Sequence, residues 1–393
     1  MNTIDIVDYG AIGDGKTLNT QKIQDAIDAC HVSGGGRVII SDGVFITGTI
    51  KLYSNIDLHI CANAVLQASV DGDDYPDFDC KEWDKKKAPR ATSRCLIYVG
   101  YANNITISGM GKIDCMGSYF CDQQTDINGV NRYVRKTDIL PARMIFIMGC
   151  TNVSLKDFTM HEMAGGWGCW INHSQYVSVD KIKMVCNPQY PNADGVHINC
   201  SSDVTVSNCT IHSGDDSIIV RANSNTLDQP CPCERVIVTG CILSSNHNAI
   251  RIGWRNDGVI RNCVFSDLVI TDSRQGINIE LPCRSNPTDV GKQHTHIRNV
   301  RFNNIAMDRI DEVPVVIRIY PDNLVEIIEN ITFSNISSNS GKFPLIQGRQ
   351  DSKVKNIVFS NCQFDIAGNC QDQLPLFVYA LNVQLNDTVF NVG

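Results

Sequence analysis

From about residue 100 onward the sequence keeps returning to one pattern: a small polar residue, then a short run that alternates apolar and polar side chains. Asn104-Ile105-Thr106-Ile107-Ser108, Asn152-Val153-Ser154-Leu155, Val177-Ser178-Val179 and Asp203-Val204-Thr205-Val206-Ser207 all follow it. So do Arg235-Val236-Ile237-Val238, Asn330-Ile331-Thr332-Phe333 and Asn356-Ile357-Val358-Phe359. Period-two alternation predicts strands with one face buried. Several runs pass through a polar step into a second strand, as in Ser207-Asn208-Cys209-Thr210-Ile211. Asparagine suits such a step, because it tolerates left-handed backbone and bonds locally. Only one segment reads as a helix of any strength. After the turn Gly13-Asp14-Gly15, residues Ile23, Ala26, Ile27 and Cys30 make one apolar helical face from about Thr20, with Asn19 or Thr20 as the cap and Gly34-Gly35-Gly36 as the stop.

Repeats spaced by roughly two to four dozen residues indicate a solenoid or a propeller. A propeller blade needs four strands per unit, and many of these units are too short for that. Coils of a parallel β-helix fit better, with Val, Ile and Leu inward and Thr, Ser, Asn and Lys outward, and with loops of varying length hanging from a common scaffold. The expectation is one all-β domain over residues 1–393, with a cap region to about residue 45 and coils over 46–393.

Composition narrows the function classes. With 43% apolar residues the chain can bury a large core, and its net charge of −8 is a poor match to nucleic acid or an acidic membrane surface. No apolar run approaches a membrane span. Met1 to Gly10 includes Asp5 and Asp8 and no apolar stretch, so the expectation is a cytoplasmic protein, or a secreted one whose signal has been cleaved. The 18 cysteines are scattered, and many fall inside strand-like runs, as Cys200, Cys209, Cys241, Cys263 and Cys362 do. They read as reduced, small core residues. Cys231-Pro232-Cys233 is dense enough to suggest a metal, but would need two further ligands.

Candidate chemistry concentrates between residues 190 and 280. Asn192-Ala193-Asp194-Gly195 opens one strand and Gly214-Asp215-Asp216 another, the two acidic positions lying 21 and 22 residues beyond Asp194. That is about one short coil, which would bring the carboxylates onto neighbouring rungs, where two such groups can divide acid and base roles. Either motif alone is an ordinary turn, since Asp and Gly dominate turns; the spacing gives the pair its weight. Adjacent aspartates on a regular strand would face opposite ways, so a local bend at Gly214 is expected.

These residues resemble glycoside hydrolase family 28, the polygalacturonase-like family. The resemblance takes in Val7-Asp8-Tyr9-Gly10-Ala11, Gly13-Asp14-Gly15, Gly34-Gly35-Gly36-Arg37-Val38, Thr47-Gly48, Trp170-Ile171-Asn172-His173, Asn192-Ala193-Asp194 and Gly214-Asp215-Asp216. It implies a right-handed parallel β-helix and an oligosaccharide or glycoside substrate, hydrolysed with inversion and without metal or cofactor. It also implies Asp215 as general acid, with Asp194 and Asp216 activating water. Asn192 and His173 are expected to bind substrate. Arg221 stands where the family often has a lysine, and either lines the cleft or pairs with a carboxylate.

Two departures bear on specificity. The family's Gly-His-Gly is replaced by Asn246-His247-Asn248, so either His247 or Asn248 meets the histidine position. The family's Arg-Ile-Lys, which grips a substrate carboxylate, is here Asn278-Ile279-Glu280. Either Arg251, Arg255 or Arg274 compensates, or a neutral sugar occupies that subsite. Trp254 is the expected stacking platform, ahead of Trp167 and Trp170. The competing readings are an exo-polygalacturonase or galacturonidase, a polysaccharide lyase, and a glycan-binding β-helix without activity. Oligomeric state is left open by the sequence.

Overall fold

The computed structural model describes residues 2–87, 91–125, 127, 129–163, 165–255, 257–281, 294–321, 325–366 and 375–392. They fall into two compact units, Met1–His197 with Ser207–Asp215, and Ile198–Val206 with Asp216–Gly393. Among the described residues, no helix is long and apolar enough to cross a membrane.

Near its start, after the strands Asn2–Asp5 and Asp14–Leu18, the first unit carries the expected helix, Thr20–Val32, which buries Ile23, Ala26, Ile27 and Cys30. Asn19 occupies the N-cap position, but its side chain makes no cap bond. It closes the preceding turn instead, accepting from Ile12 N at 2.7 Å and donating to Thr17 O at 2.7 Å. Gln24 ties the helix to the strand Ile50–Leu52, donating to Lys51 O at 3.1 Å and accepting from Lys51 N at 2.8 Å. After the helix the chain runs so close to the next coil that a Cβ on Gly35 would lie 2.5 Å from Asn55 O, at a φ of +103°. Only glycine meets both demands.

Coils then stack in parallel, each with three short strands. Arg143–Met148, Thr151–Lys156 and Thr159–His161 form one coil; Trp167–Asn172, Gln175–Asp180 and Lys183–Val185 form the next. They pair in register, Phe146 with Trp170, Ser154 with Ser178 and Met160 with Met184. The alternation read from sequence fits the middle strands, where Val153, Leu155, Val177 and Val179 are buried. It fails on Arg143–Met148, where every residue is buried. There Trp83, carried by a loop, meets Phe146 at 5.5 Å and Trp170 at 5.7 Å, and Phe146 stacks on Trp170 at 4.6 Å. Trp170 is thus a core aromatic.

The second unit has its own register. Asn248–Ile252, Gln275–Leu281 and Val315–Ile319 pair in parallel, matching Arg251 with Asn278 and Glu280 with Arg318. The long strands Val259–Ser273, Thr295–Ile310 and Val325–Ser340 turn corners without losing their pairing. Their inward phenylalanines, Phe265, Phe302, Phe333 and Phe359, stack at 5.0, 5.0 and 4.8 Å. Outside, Asn299, Asn330 and Asn356 take φ of 56°, 55° and 55° and pass an amide bond along the stack, Asn330 to Asn299 at 3.2 Å and Asn356 to Asn330 at 2.9 Å. Asn262, Asn299, Asn330 and Asn356 are successively 37, 31 and 26 positions apart along this ladder, so coil length varies while the corner geometry repeats.

None of the sixteen described cysteines forms a disulfide, and all but Cys61 and Cys231 are buried. Burial drives the thiols of Cys169 and Cys263 up to about 12, as expected of cysteines used for packing.

Two substitutions separate the ladders. Phe333→Ala should cost about 3–5 kcal/mol, the usual penalty for emptying a buried aromatic site. Asn330→Ala should cost roughly 1–3 kcal/mol, because a left-handed corner loses its amide bonds, whereas Asn330→Gly should cost less, glycine accepting that φ. Urea unfolding of the three variants gives the order directly. An Asn330→Ala protein as stable as the parent would mean that the corner conformation does not depend on the amide.

Candidate active site

In the first unit, the acidic residues stand on corners locked to one another by backbone bonds. The corner Asn192-Ala193-Asp194 rests on the strand Trp167–Asn172, with Gly168 N donating to Asp194 O at 2.8 Å. Asn192 is exposed with φ 50°, and Asp194 is buried. The next corner clasps this one from its other side, as Gly214 N and Asp215 N donate to Ala193 O at 3.0 and 3.2 Å. The clasp is tight. A Cβ on Gly214 would stand 2.4 Å from Tyr190 O. The bend expected at Gly214 is present, and close approach of the backbone is what requires glycine there. Neither Asp215 nor Asp216 lies in a strand.

The side chains follow from that frame. Asn192 Nδ2 donates to Asp215 Oδ2 at 3.4 Å. Asp194 Oδ2 lies 3.7 Å from Nδ1 of His197, whose buried ring packs against Trp167 at 4.1 Å. His197 was not singled out from the sequence; its place three residues after Asp194, at the start of an apolar strand, was the available signal. His173 is half-buried at the end of the Trp167–Asn172 strand with φ 50°.

Asp216 belongs to the second unit, and its carboxylate is buried and firmly held. Arg251 Nε donates to its Oδ2 at 2.6 Å, and Asn248 donates to its Oδ1 from the backbone N at 3.3 Å and from the side-chain amide. Arg251 stacks its guanidinium over Trp254 at 4.3 Å and donates to Asn278 Oδ1 at 3.3 Å. Asn278 donates to Glu280 Oε2 at 2.8 Å, and Glu280 pairs with Arg318 at 3.4 Å. Strand register places each of these beside the next. Arg318 was absent from the sequence reading, because its pairing with Glu280 depends on strand register between positions 38 residues apart.

Between the two candidates for the family histidine position, Asn248 is the buried residue bonded to Asp216, while His247 is exposed. A ring nitrogen of His247 lies within 4.8 Å of a carboxylate oxygen of Asp216. These two could begin a metal site, but Asp216 already has a cation in Arg251.

Arg221 resolves toward pairing. It holds Asp257 through Nε at 2.6 Å and Nη2 at 2.7 Å. Asp257 is fully buried and also accepts from Trp254 N at 3.1 Å, so the pair fixes the Trp254 loop. Burial pushes the Asp257 carboxyl up against the opposing pull of Arg221. Arg274 bonds Glu312 at 3.1 Å, and Arg255 lies 5.8 Å from the Trp254 ring. Neither stands in a described contact with Asn278 or Glu280.

Stacked parallel coils with carboxylates at their corners define the class, a right-handed parallel β-helix with acidic corners. The sequence profile of the Glycosyl hydrolases family 28 matches residues 43–374, and the chain belongs to that family. It is 27% identical over 358 residues to an exo-poly-alpha-D-galacturonosidase of Dickeya chrysanthemi, covering 81% of this chain and 58% of that protein. It is 25% identical over 284 residues to a probable polygalacturonase of Vitis vinifera, covering 70% and 56%. The chain thus spans somewhat over half the length of these curated relatives. The fold matches the crystal structure of a hyperthermoactive exopolygalacturonase from Thermotoga maritima with a TM-score of 0.79 at 20% identity, over 98% of this chain and 92% of that one.

The Arg221–Asp257 pair yields a pH-dependent expectation. Arg221→Ala strands a buried carboxylate and should cost about 3–5 kcal/mol at neutral pH. Without its cation, Asp257 has a folded-state pKa raised further above the unfolded value. The loss should therefore be small at low pH and grow as pH rises through that folded pKa. Thermal melts of parent and variant between about pH 4.5 and 8 measure this; a deficit independent of pH would place the cost elsewhere.

Proposed function

We propose that residues 1–393 act as one catalytic domain, an inverting glycoside hydrolase that removes terminal units from short oligosaccharides or glycosides. Asp215 donates the proton to the leaving oxygen, and Asp194 and Asp216 activate the attacking water. One observation carries the reading: the paired donation of Gly214 N and Asp215 N to Ala193 O. It fixes the backbone of the acid against the residue beside Asp194, so positioning costs nothing at the moment of reaction. Family membership supports the assignment of roles. Inversion calls for acid and base roughly 6.5–9.5 Å apart with a water between them.

The subsite beside Asn278 and Glu280 takes an uncharged ring or aglycone in this reading. Asn278 is neutral and buried, Glu280 has Arg318 as counter-ion, and Arg251 and Arg274 are engaged by Asp216 and Glu312. A carboxylate placed about 4 Å from Glu280 would meet a repulsion on the order of 4 kcal/mol at an effective dielectric near 20. The second reading, an exo-polygalacturonase, is favoured by the likeness to an exo-poly-alpha-D-galacturonosidase and a probable polygalacturonase. A cytoplasmic site of action is part of the proposal and suits small imported substrates.

The test is product release from neutral and uronic α-glycosides, with Asp215→Asn beside the parent. The expected result is hydrolysis by the parent and a loss of about 10²–10⁴-fold in the folded variant. A folded Asp215→Asn protein with near-parental turnover would remove Asp215 from the mechanism. An unsaturated product absorbing in the ultraviolet would make the protein a lyase, and glycan binding without turnover of any substrate would make it a binding module.

A further inference from the structure

Cys231-Pro232-Cys233, dense in thiols, has no part in the proposed hydrolysis. It lies in the second unit, as do Cys200 and the residues around all three. The sulfurs of Cys200, Cys231 and Cys233 do not come close enough together to hold one metal ion. Their pairwise geometry decides what they can do.

Five buried cysteines share one pattern. The thiols of Cys150, Cys209, Cys241, Cys263 and Cys362 each donate to the carbonyl two residues earlier. Cys231 departs from it. Its Sγ donates to Cys200 O, 31 positions earlier, at 3.1 Å, and its thiol also shares a hydrogen bond with the Cys200 thiol. Backbone bonds hold the two segments side by side. Cys200 N donates to Arg221 O at 3.0 Å, and Glu234 N to Ser201 O at 3.0 Å. Pro232 further restricts the backbone of Cys231. Cys233 is fully buried, with its Sγ 4.0 Å from Ile198 O.

Access runs through Cys231. It is half-buried and stands on the wall of a cavity of about 440 Å³, with Pro230, Pro232, Val259 and Arg261. Cys200 is only 1% exposed. Burial above all, and then the bond with Cys231, push the Cys200 thiol well above its ordinary range and keep it protonated. A small solute entering the cavity meets Cys231 first, with Cys200 behind it.

We infer that Cys231 is an oxidation site, at which hydrogen peroxide converts the thiol to a sulfenic acid and Cys200 resolves it to a Cys200–Cys231 disulfide. In the first step the Cys231 sulfur gives up its proton and attacks a peroxide oxygen. An S–O bond forms, the O–O bond breaks, and one water leaves. In the second step the Cys200 sulfur attacks Cys231. The S–S bond forms, the S–O bond breaks, and the hydroxide departs with the Cys200 proton as a second water. Two thiols are oxidised and one peroxide is reduced. The cross-link joins positions 31 apart and restrains the unfolded chain.

The intact protein is treated with hydrogen peroxide, alkylated and mapped by mass spectrometry. It should lose two hydrogens, the peptides that carry Cys200 and Cys231 should become joined, and dithiothreitol should part them. The oxidised protein should melt at a higher temperature than the reduced one. Cys231→Ser should form no such bridge. Cys200→Ser should stop at the sulfenic acid, which dimedone traps on Cys231; if that variant does not fold, Cys200→Ala carries the same expectation. Cys61, the other half-buried thiol, has Asp42, Asp5 and Arg37 as its charged neighbours and should join no other cysteine. A Cys231 that stays alkylatable after peroxide would overturn the inference. So would a bridge from Cys231 to Cys233, or joined Cys200 and Cys231 peptides no more abundant than joined peptides that carry Cys61.

Discussion

Parallel stacking constrains everything else in this molecule. Each coil must lay its strands on those of the coil before, about 4.8 Å away, and must turn its corners at the same places however long its loops are. Corners therefore recur at positive φ, and a residue that accepts that conformation must occupy them. Asparagine does so repeatedly and adds an amide bond to the neighbouring coil, as Asn299, Asn330 and Asn356 show. Where Arg235 stands at such a corner with φ 54°, a bidentate pair with Asp203 takes the place of the amide. Inside, the same stacking sets like residue over like, as the phenylalanine column does.

The candidate site exploits this rigidity. Corners are the positions where the chain leaves the regular pairing, yet the backbone bonds of adjacent coils still hold them. Asn192-Ala193-Asp194 and Gly214-Asp215 meet through the Ala193 carbonyl, so side-chain chemistry is placed by main-chain geometry. Charge is managed by register as well. Arg251 beside Asn278 and Glu280 beside Arg318 are direct consequences of strand pairing, and Arg143 stands on Trp167 for the same reason. In-register stacking turns a substitution on one strand into a change of partner on the next.

Much of this was legible in the sequence because the signals are local. Alternating runs gave the strands, the spacing of Ile23, Ala26, Ile27 and Cys30 gave the helix, and the motifs around Asp194 and Asp215 gave the acidic corners. What escaped depends on loops. Arg143 heads an apolar strand, and only the 24-residue register with Trp167 sets it over that ring. Arg318 neutralises Glu280 from 38 positions further on, again through register. Gly214 was expected to bend the chain, but the closeness of Tyr190 O to where a Cβ would stand has no local trace. The choice between His247 and Asn248 turns on a single residue of phase, which sequence spacing leaves open; in the structure Asn248 is the buried one of the two and bonds Asp216.

The central claim is that a water, held by carboxylates on one side of the scissile bond, displaces a leaving group protonated from the other. The most direct measurement is proton NMR of the first product released from an α-linked glycoside, recorded before mutarotation. A β-anomer as first product is the predicted result. An α-anomer, or a glycosyl group trapped covalently on an aspartate, would contradict the single-displacement geometry assigned to Asp194, Asp215 and Asp216.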